Sequence, residues 1–166
     1  MDSELLYLFS KVPKGPQTLA HLSCTTGSTL ANTFVPWDNF QTQNVISVGS
    51  YGVAVEASGY YEISSIVTFS ESLTAPYVSP TPPTNVRLSI AVNSTVVSSG
   101  LAVTATEAQY TLAAIVTDII YLNSGDIVTI KAAYASPGNV YIWGIQDPTA
   151  ITGLFMTYMS VVYLGT

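Results

Sequence analysis

The chain has 166 residues, 48% of them hydrophobic and only 8% charged, with a formal net charge of −6. Its fixed cations are Lys11, Lys14, Arg87 and Lys131, too few and too scattered to neutralise a phosphate backbone or hold an anionic membrane surface. The length fits one domain with a core of its own, and a surface this poor in charge points to cover by neighbouring molecules.

One cysteine, Cys24, excludes an internal disulfide framework. No apolar run reaches the roughly 18 residues that a membrane helix needs. The acidic start, Met1-Asp2-Ser3-Glu4, does not read as a secretory leader. Residues 1–33 differ from the remainder of the chain. They hold two of the cations, the only histidine (His21), Cys24 and the breaker Pro13-Lys14-Gly15-Pro16. The segment reads as an N-terminal arm, with Leu5, Leu6, Tyr7, Leu8 and Phe9 as its anchoring residues.

From Phe34 onward, β-branched and aromatic residues dominate and turn residues recur at short intervals. Val45–Val48 predicts a short strand, and Gly52–Ala57 a second. Tyr60–Ser70 predicts a longer one, with Tyr61, Ile63, Val67 and Phe69 on one face. The four prolines within residues 75–84 predict an extended loop. Val86–Val92 alternates cleanly, and Asn93-Ser94 predicts a hairpin turn into Thr95–Ser98. Residues 110–122 are apolar on both faces, as a doubly buried strand would be. Turns at residues 123–126 and 136–139 lead into strands over 127–134 and 140–145, and Leu154–Leu164 closes the chain. Eight to ten strands and no convincing helix predict an all-β sandwich over residues 34–166.

Three stretches carry a family resemblance. Ser58-Gly59-Tyr60-Tyr61-Glu62-Ile63, Val86–Asn93 and Leu122-Asn123-Ser124-Gly125-Asp126-Ile127-Val128 resemble the Gly-x-Tyr strand entry, the Asn-terminated strand and the Leu-x-x-Gly-Asp-x-Val turn of the tumour necrosis factor superfamily and complement-type heads. The apolar Leu154–Leu164 is similar to their terminal strand. The resemblance implies a jelly-roll β-sandwich that assembles as a homotrimer. The same fold recurs in phage and viral structural proteins, a context that suits low charge and no disulfide.

The closing strand has no polar face, so one side is expected against the core and the other against a partner. The expected oligomer interface comprises Tyr60, Ile66, Phe155, Tyr158, Met159, Val161 and Tyr163.

Catalytic chemistry finds little to use. His21 and Cys24 lie three apart in an irregular segment, which does not build a nucleophile–base pair. One His and one Cys do not make a zinc site. Asp118, Asn123, Asp126 and Asp147 form no calcium-loop pattern, and Asp126 reads as a turn residue. Glu56, Glu62, Glu71, Glu107, Asp118 and Asp147 include no singled-out pair for glycoside hydrolysis. Trp37, Trp143, Tyr77 and Tyr141 are candidates for a sugar platform, with Tyr77 and Trp143 as a possible ligand loop, although such aromatics more often fill a core or an interface. Asn93-Ser94-Thr95 matches a glycosylation sequon and reads as the hairpin turn.

The expected protein is therefore a non-enzymatic virion component, assembled in the host cytoplasm without a cofactor. It would be an oligomeric decoration or cement protein, holding a major capsid protein or another virion protein through its arm. The alternative is a receptor- or glycan-binding knob of a tail fibre or spike, with a host glycan as partner.

Overall fold

A computed structural model describes residues 19–24, 28–29, 34–43, 45–70, 85–101, 103–104, 111–135, 141–142 and 157–166. These form strands only: β1 (Leu19–Ser23), β2 (Ser28–Thr29), β3 (Asn39–Gln43), β4 (Val45–Val48), β5 (Gly52–Val55), β6 (Gly59–Ser70), β7 (Asn85–Val92), β8 (Thr95–Ser99), β9 (Val103–Thr104), β10 (Thr111–Leu122), β11 (Ile127–Ala135), β12 (Tyr141–Ile142) and β13 (Tyr158–Gly165). All pairings are antiparallel, in two sheets. The all-β sandwich expected from the turn spacing is what the chain builds.

The larger sheet is organised around β6. Its full length pairs with β10 on one edge. The other edge takes β13 and, further along, β12. Beyond β13 lie β1 and then β3; beyond β12 lies β2. The smaller sheet runs β4-β5-β11-β7-β8, with β9 also on β7.

The predicted alternation holds in β6 and β7. Tyr61, Ile63, Val67 and Phe69 of β6 are fully buried, as are Val86, Leu88 and Ile90 of β7. These meet Leu22, Val53, Ile130 and Ile142 in one core between the sheets. Ser65 shares the inward face of β6, and its hydroxyl donates to the Tyr158 carbonyl at 2.8 Å, so its burial leaves no donor unmatched. Tyr61 also lies in the core, packs on Tyr163 with ring centroids 5.2 Å apart, and donates its hydroxyl to the Ala57 carbonyl at 2.7 Å. Gly59 makes room for this contact. A Cβ there would lie 2.5 Å from the Tyr163 ring and 2.6 Å from the Gly165 carbonyl oxygen.

The Asn93-Ser94 turn forms as expected. Both residues take left-handed backbone angles, φ 50° and 71°, as a two-residue type I′ hairpin requires. Asn93 also ties the hairpin to the neighbouring turn. Its Nδ2 donates to Asp126 Oδ1 at 2.7 Å, and its Oδ1 accepts the Ile127 N–H at 3.0 Å. Asp126 Oδ2 accepts the Asn123 N–H at 2.8 Å. One end of the sandwich is thus pinned by two side chains.

Four sequence expectations are corrected. Residues 19–24, read as part of the arm, belong to the sandwich. Strand β1 lies between β13 and β3 and buries Ala20 and Leu22, and Cys24 just beyond it is buried too, a period-two pattern that ties it to the core. Strand β10, read as covered on both faces, pairs only with β6 among the described residues and leaves its outward side chains exposed. Met159 and Val161, expected in an interface, are fully buried within the chain, and Tyr163 packs against the same core. Trp37, a candidate sugar platform, is also a core residue; its indole N–H donates to the Tyr51 carbonyl at 3.2 Å. Leu5, Leu6, Tyr7, Leu8, Phe9, Glu71, Tyr77, Glu107, Trp143, Asp147 and Phe155 lie outside the described residues.

Two substitutions check this packing by denaturant unfolding. Met159→Ala is expected to destabilise the fold by about 2–5 kcal/mol, the cost of emptying a core site. Asp126→Ala is expected to cost about 1 kcal/mol, because its hydrogen bonds sit at the surface where water competes.

Candidate functional site: the outward face of the larger sheet

Side chains paired across an antiparallel ladder lie side by side on one face. The register of the larger sheet therefore lays out its outward surface in rows. Ile115, Ile66 and Tyr158 make an apolar row across β10, β6 and β13. The next row is polar: Thr117, Ser64, Ser160, His21 and Gln41, from β10 across to β3. Then come Ile119, Glu62 and Val162. Tyr121 and Tyr60 end the pattern as an edge-to-face pair with centroids 5.3 Å apart.

This face is unusually open for its composition. Ile115 is 56% exposed, Ile119 58%, Tyr121 51%, Tyr60 50% and Leu164 48%. Glu62 is the single charged side chain in these rows. Solvated sheet faces are ordinarily polar, and large exposed apolar side chains in bands make this face a candidate interaction surface. Of the residues expected in an interface, Tyr60, Ile66 and Tyr158 lie on this face. Sequence reasoning missed Ile115, Ile119, Tyr121, Val162 and Leu164 as interface candidates. The signal was present in β10, whose two apolar faces were ascribed wholly to the interior.

The candidate chemical groups do not converge. His21 points outward and stacks on Tyr158 with ring centroids 5.4 Å apart. Cys24 is buried, on the inward side. Strand alternation thus sends the imidazole and the thiol to opposite faces. Among the described residues, no three His, Cys, Asp or Glu side chains gather as a metal would need. Asp118 Oδ1 accepts the neighbouring Ile119 N–H at 2.8 Å, and both oxygens of Asp126 serve turns.

No protein-family model matches this chain, and no curated protein matches it in sequence. Solved structures do match. The fold is similar to that of Eiger TNF from S. frugiperda, at 10% identity and a TM-score of 0.65, covering 91% of this chain and 94% of that one. It is also similar to murine APRIL at pH 5.0, at 14% identity and a TM-score of 0.60, covering 89% of this chain and 99% of the other. A second murine APRIL structure, at pH 8.0, matches at 16% identity with a TM-score of 0.56. These likenesses establish a tumour-necrosis-factor-like jelly roll.

The placement of Cys24 makes a direct prediction. Its thiol should react with an aromatic disulfide reagent only as fast as the fold opens, with full reactivity appearing in denaturant. A rapid native-state reaction would show that β1 is not held in the sheet.

Proposed function

We propose that this tumour-necrosis-factor-like jelly roll is a non-enzymatic virion structural protein. It works as a homotrimer and decorates or cements a capsid. Copies associate through the outward face of the larger sheet, and the segment before β1 holds a major capsid protein or another virion protein.

One observation carries the self-association: the large apolar side chains left exposed on β6, β10 and β13. Ile115 and Ile119 are already partly covered, so burying what remains of either against another copy contributes about 1–2 kcal/mol before ordering costs. Cyclic closure is the general way that a surface of this kind is used up without leaving a free end. The solved structures of similar fold include Eiger TNF and murine APRIL, and fold alone does not transfer a role. The virion role rests on the chain's own character. It has few charges and a single cysteine, and its N-terminal run Leu5-Leu6-Tyr7-Leu8-Phe9 offers apolar surface for a particle.

Two measurements test this reading. Sedimentation velocity at micromolar concentration should give a trimer, and the double variant Ile115→Lys, Ile119→Lys should weaken association about 100-fold or more while remaining folded. A parent chain that stays monomeric at tens of micromolar ends the proposal. Deleting residues 1–18, which spares β1, should leave the oligomer intact and abolish binding to capsids that carry the protein. Retained capsid binding would remove the arm from the mechanism.

A further inference from the structure

His21 is the only histidine in the chain, and β1 sets it on the outward face of the larger sheet. It pairs with Ser160 of β13 on one side and Gln41 of β3 on the other. Its ring is half-buried and stacks on Tyr158 with centroids 5.4 Å apart. Tyr158 belongs to the apolar row with Ile66 and Ile115. A molecule that covers Tyr158 therefore also covers the imidazole stacked on it.

The surroundings of the ring suit its neutral form. A neutral imidazole offers one donor and one acceptor, and hydroxyl and amide groups can meet both. The protonated ring offers two donors and a full charge, which calls for water or a carboxylate. Its row, Thr117, Ser64, Ser160, His21 and Gln41, holds no other ionisable side chain. Tyr158 is the titratable group packed on it, and a phenol is ordinarily uncharged between pH 5 and 8. Among the described residues, the carboxylates closest in register are Glu62 and Asp38. Glu62 lies two strands across and two residues along. Strand geometry makes that about 12 Å, beyond the reach of a charge screened by physiological salt. Asp38 comes three residues before Gln41, past the Ser23–Asn39 rung.

We infer that His21 makes the association of copies through this face sensitive to acid: the assembly holds the imidazole neutral, and its protonation drives the copies apart. The inference rests on the reading that the outward face of the larger sheet joins copies. Imidazole is the side chain whose charge ordinarily changes between pH 5 and 8. A separated copy binds the proton with the ring still open to water, while the covered ring refuses it. Association is therefore favoured at the higher pH and is lost as pH falls. A cyclic trimer covers three such rings at once, so the effect multiplies. Carboxyl groups ordinarily titrate below pH 5.5, which leaves His21 as the side chain that governs the window from 7.5 to 5.5.

Sedimentation equilibrium of the full chain at pH 7.5 and 5.5 tests this, with circular dichroism to confirm the same fold at both. The parent's association should weaken about tenfold or more at pH 5.5. In His21→Gln, whatever its strength at pH 7.5, the two constants should agree within about twofold. The single histidine also gives imidazole resonances that belong to one residue, so a nuclear magnetic resonance titration reads it without any variant. Its protonation midpoint should be lower by about half a pH unit or more in concentrated, assembled protein than in dilute protein. Should the variant not assemble, this titration decides alone. A parent that associates equally or more tightly at pH 5.5, with an unmoved or raised midpoint, overturns the inference and leaves the trimer reading standing. So does a pH dependence that survives intact in His21→Gln. A parent that stays monomeric at pH 7.5 fails at the trimer reading itself, and the inference falls with it.

Discussion

The pairing of β6 along both of its edges is the constraint on which the rest of the sandwich depends. Its full length carries β10 on one side, while β13 and β12 share the other. Its inward residues Tyr61, Ile63, Val67 and Phe69 form the middle of the core. In a strand of strict period two, committing these residues inward commits Tyr60, Glu62, Ser64 and Ile66 outward. A slip of one residue would exchange the two sets and put Glu62 among the core side chains. The core therefore holds the register, and the register lays out the outward surface.

That surface has a definite grain. The apolar row through Ile115 and the row of Ile119 and Val162, with Glu62 between them, flank a polar row of Thr117, Ser64, Ser160, His21 and Gln41. A molecule laid over this surface would have to match both, with apolar contact along two bands, a partner for the Glu62 carboxylate and hydrogen-bonding groups between them. Such a pattern specifies an orientation, because a rotated partner would leave the hydroxyl row against hydrocarbon without acceptors. The polar row brings His21 beside hydroxyl side chains. Its imidazole stacks on the Tyr158 ring.

The legible parts of this fold were those where one strand's own alternation carries the message. Strand β4, the faces of β6 and β7, and the Asn93-Ser94 turn could be read directly. The turn residues take φ values that few other sequences tolerate. Strand β1 was less visible, since Ala20, Leu22 and Cys24 alternate with polar residues only briefly after a proline-rich run. Strand β3, Asn39–Gln43, is mostly polar and carries almost no periodic signal. It is a strand because β1 supplies a ladder for it. Within the candidate site, Tyr60 and Ile66 were legible because they interrupt the polar face of β6. Met159 and Val161 were assigned to the wrong surface because β13 is apolar on both sides, and a strand of that kind does not say which side is the inner one.

Composition, period and turn chemistry are local properties of the chain, and they were enough to read the all-β class and the main strands. Which apolar faces were already buried and which were left open depended on how those strands pack together. Hydrophobic periodicity marks that a side chain needs cover, and it does not say whether that cover comes from its own chain. Strand β10 shows the difference: Ala114, Val116 and Leu122 found theirs inside the sandwich, while Ile115, Ile119 and Tyr121 did not.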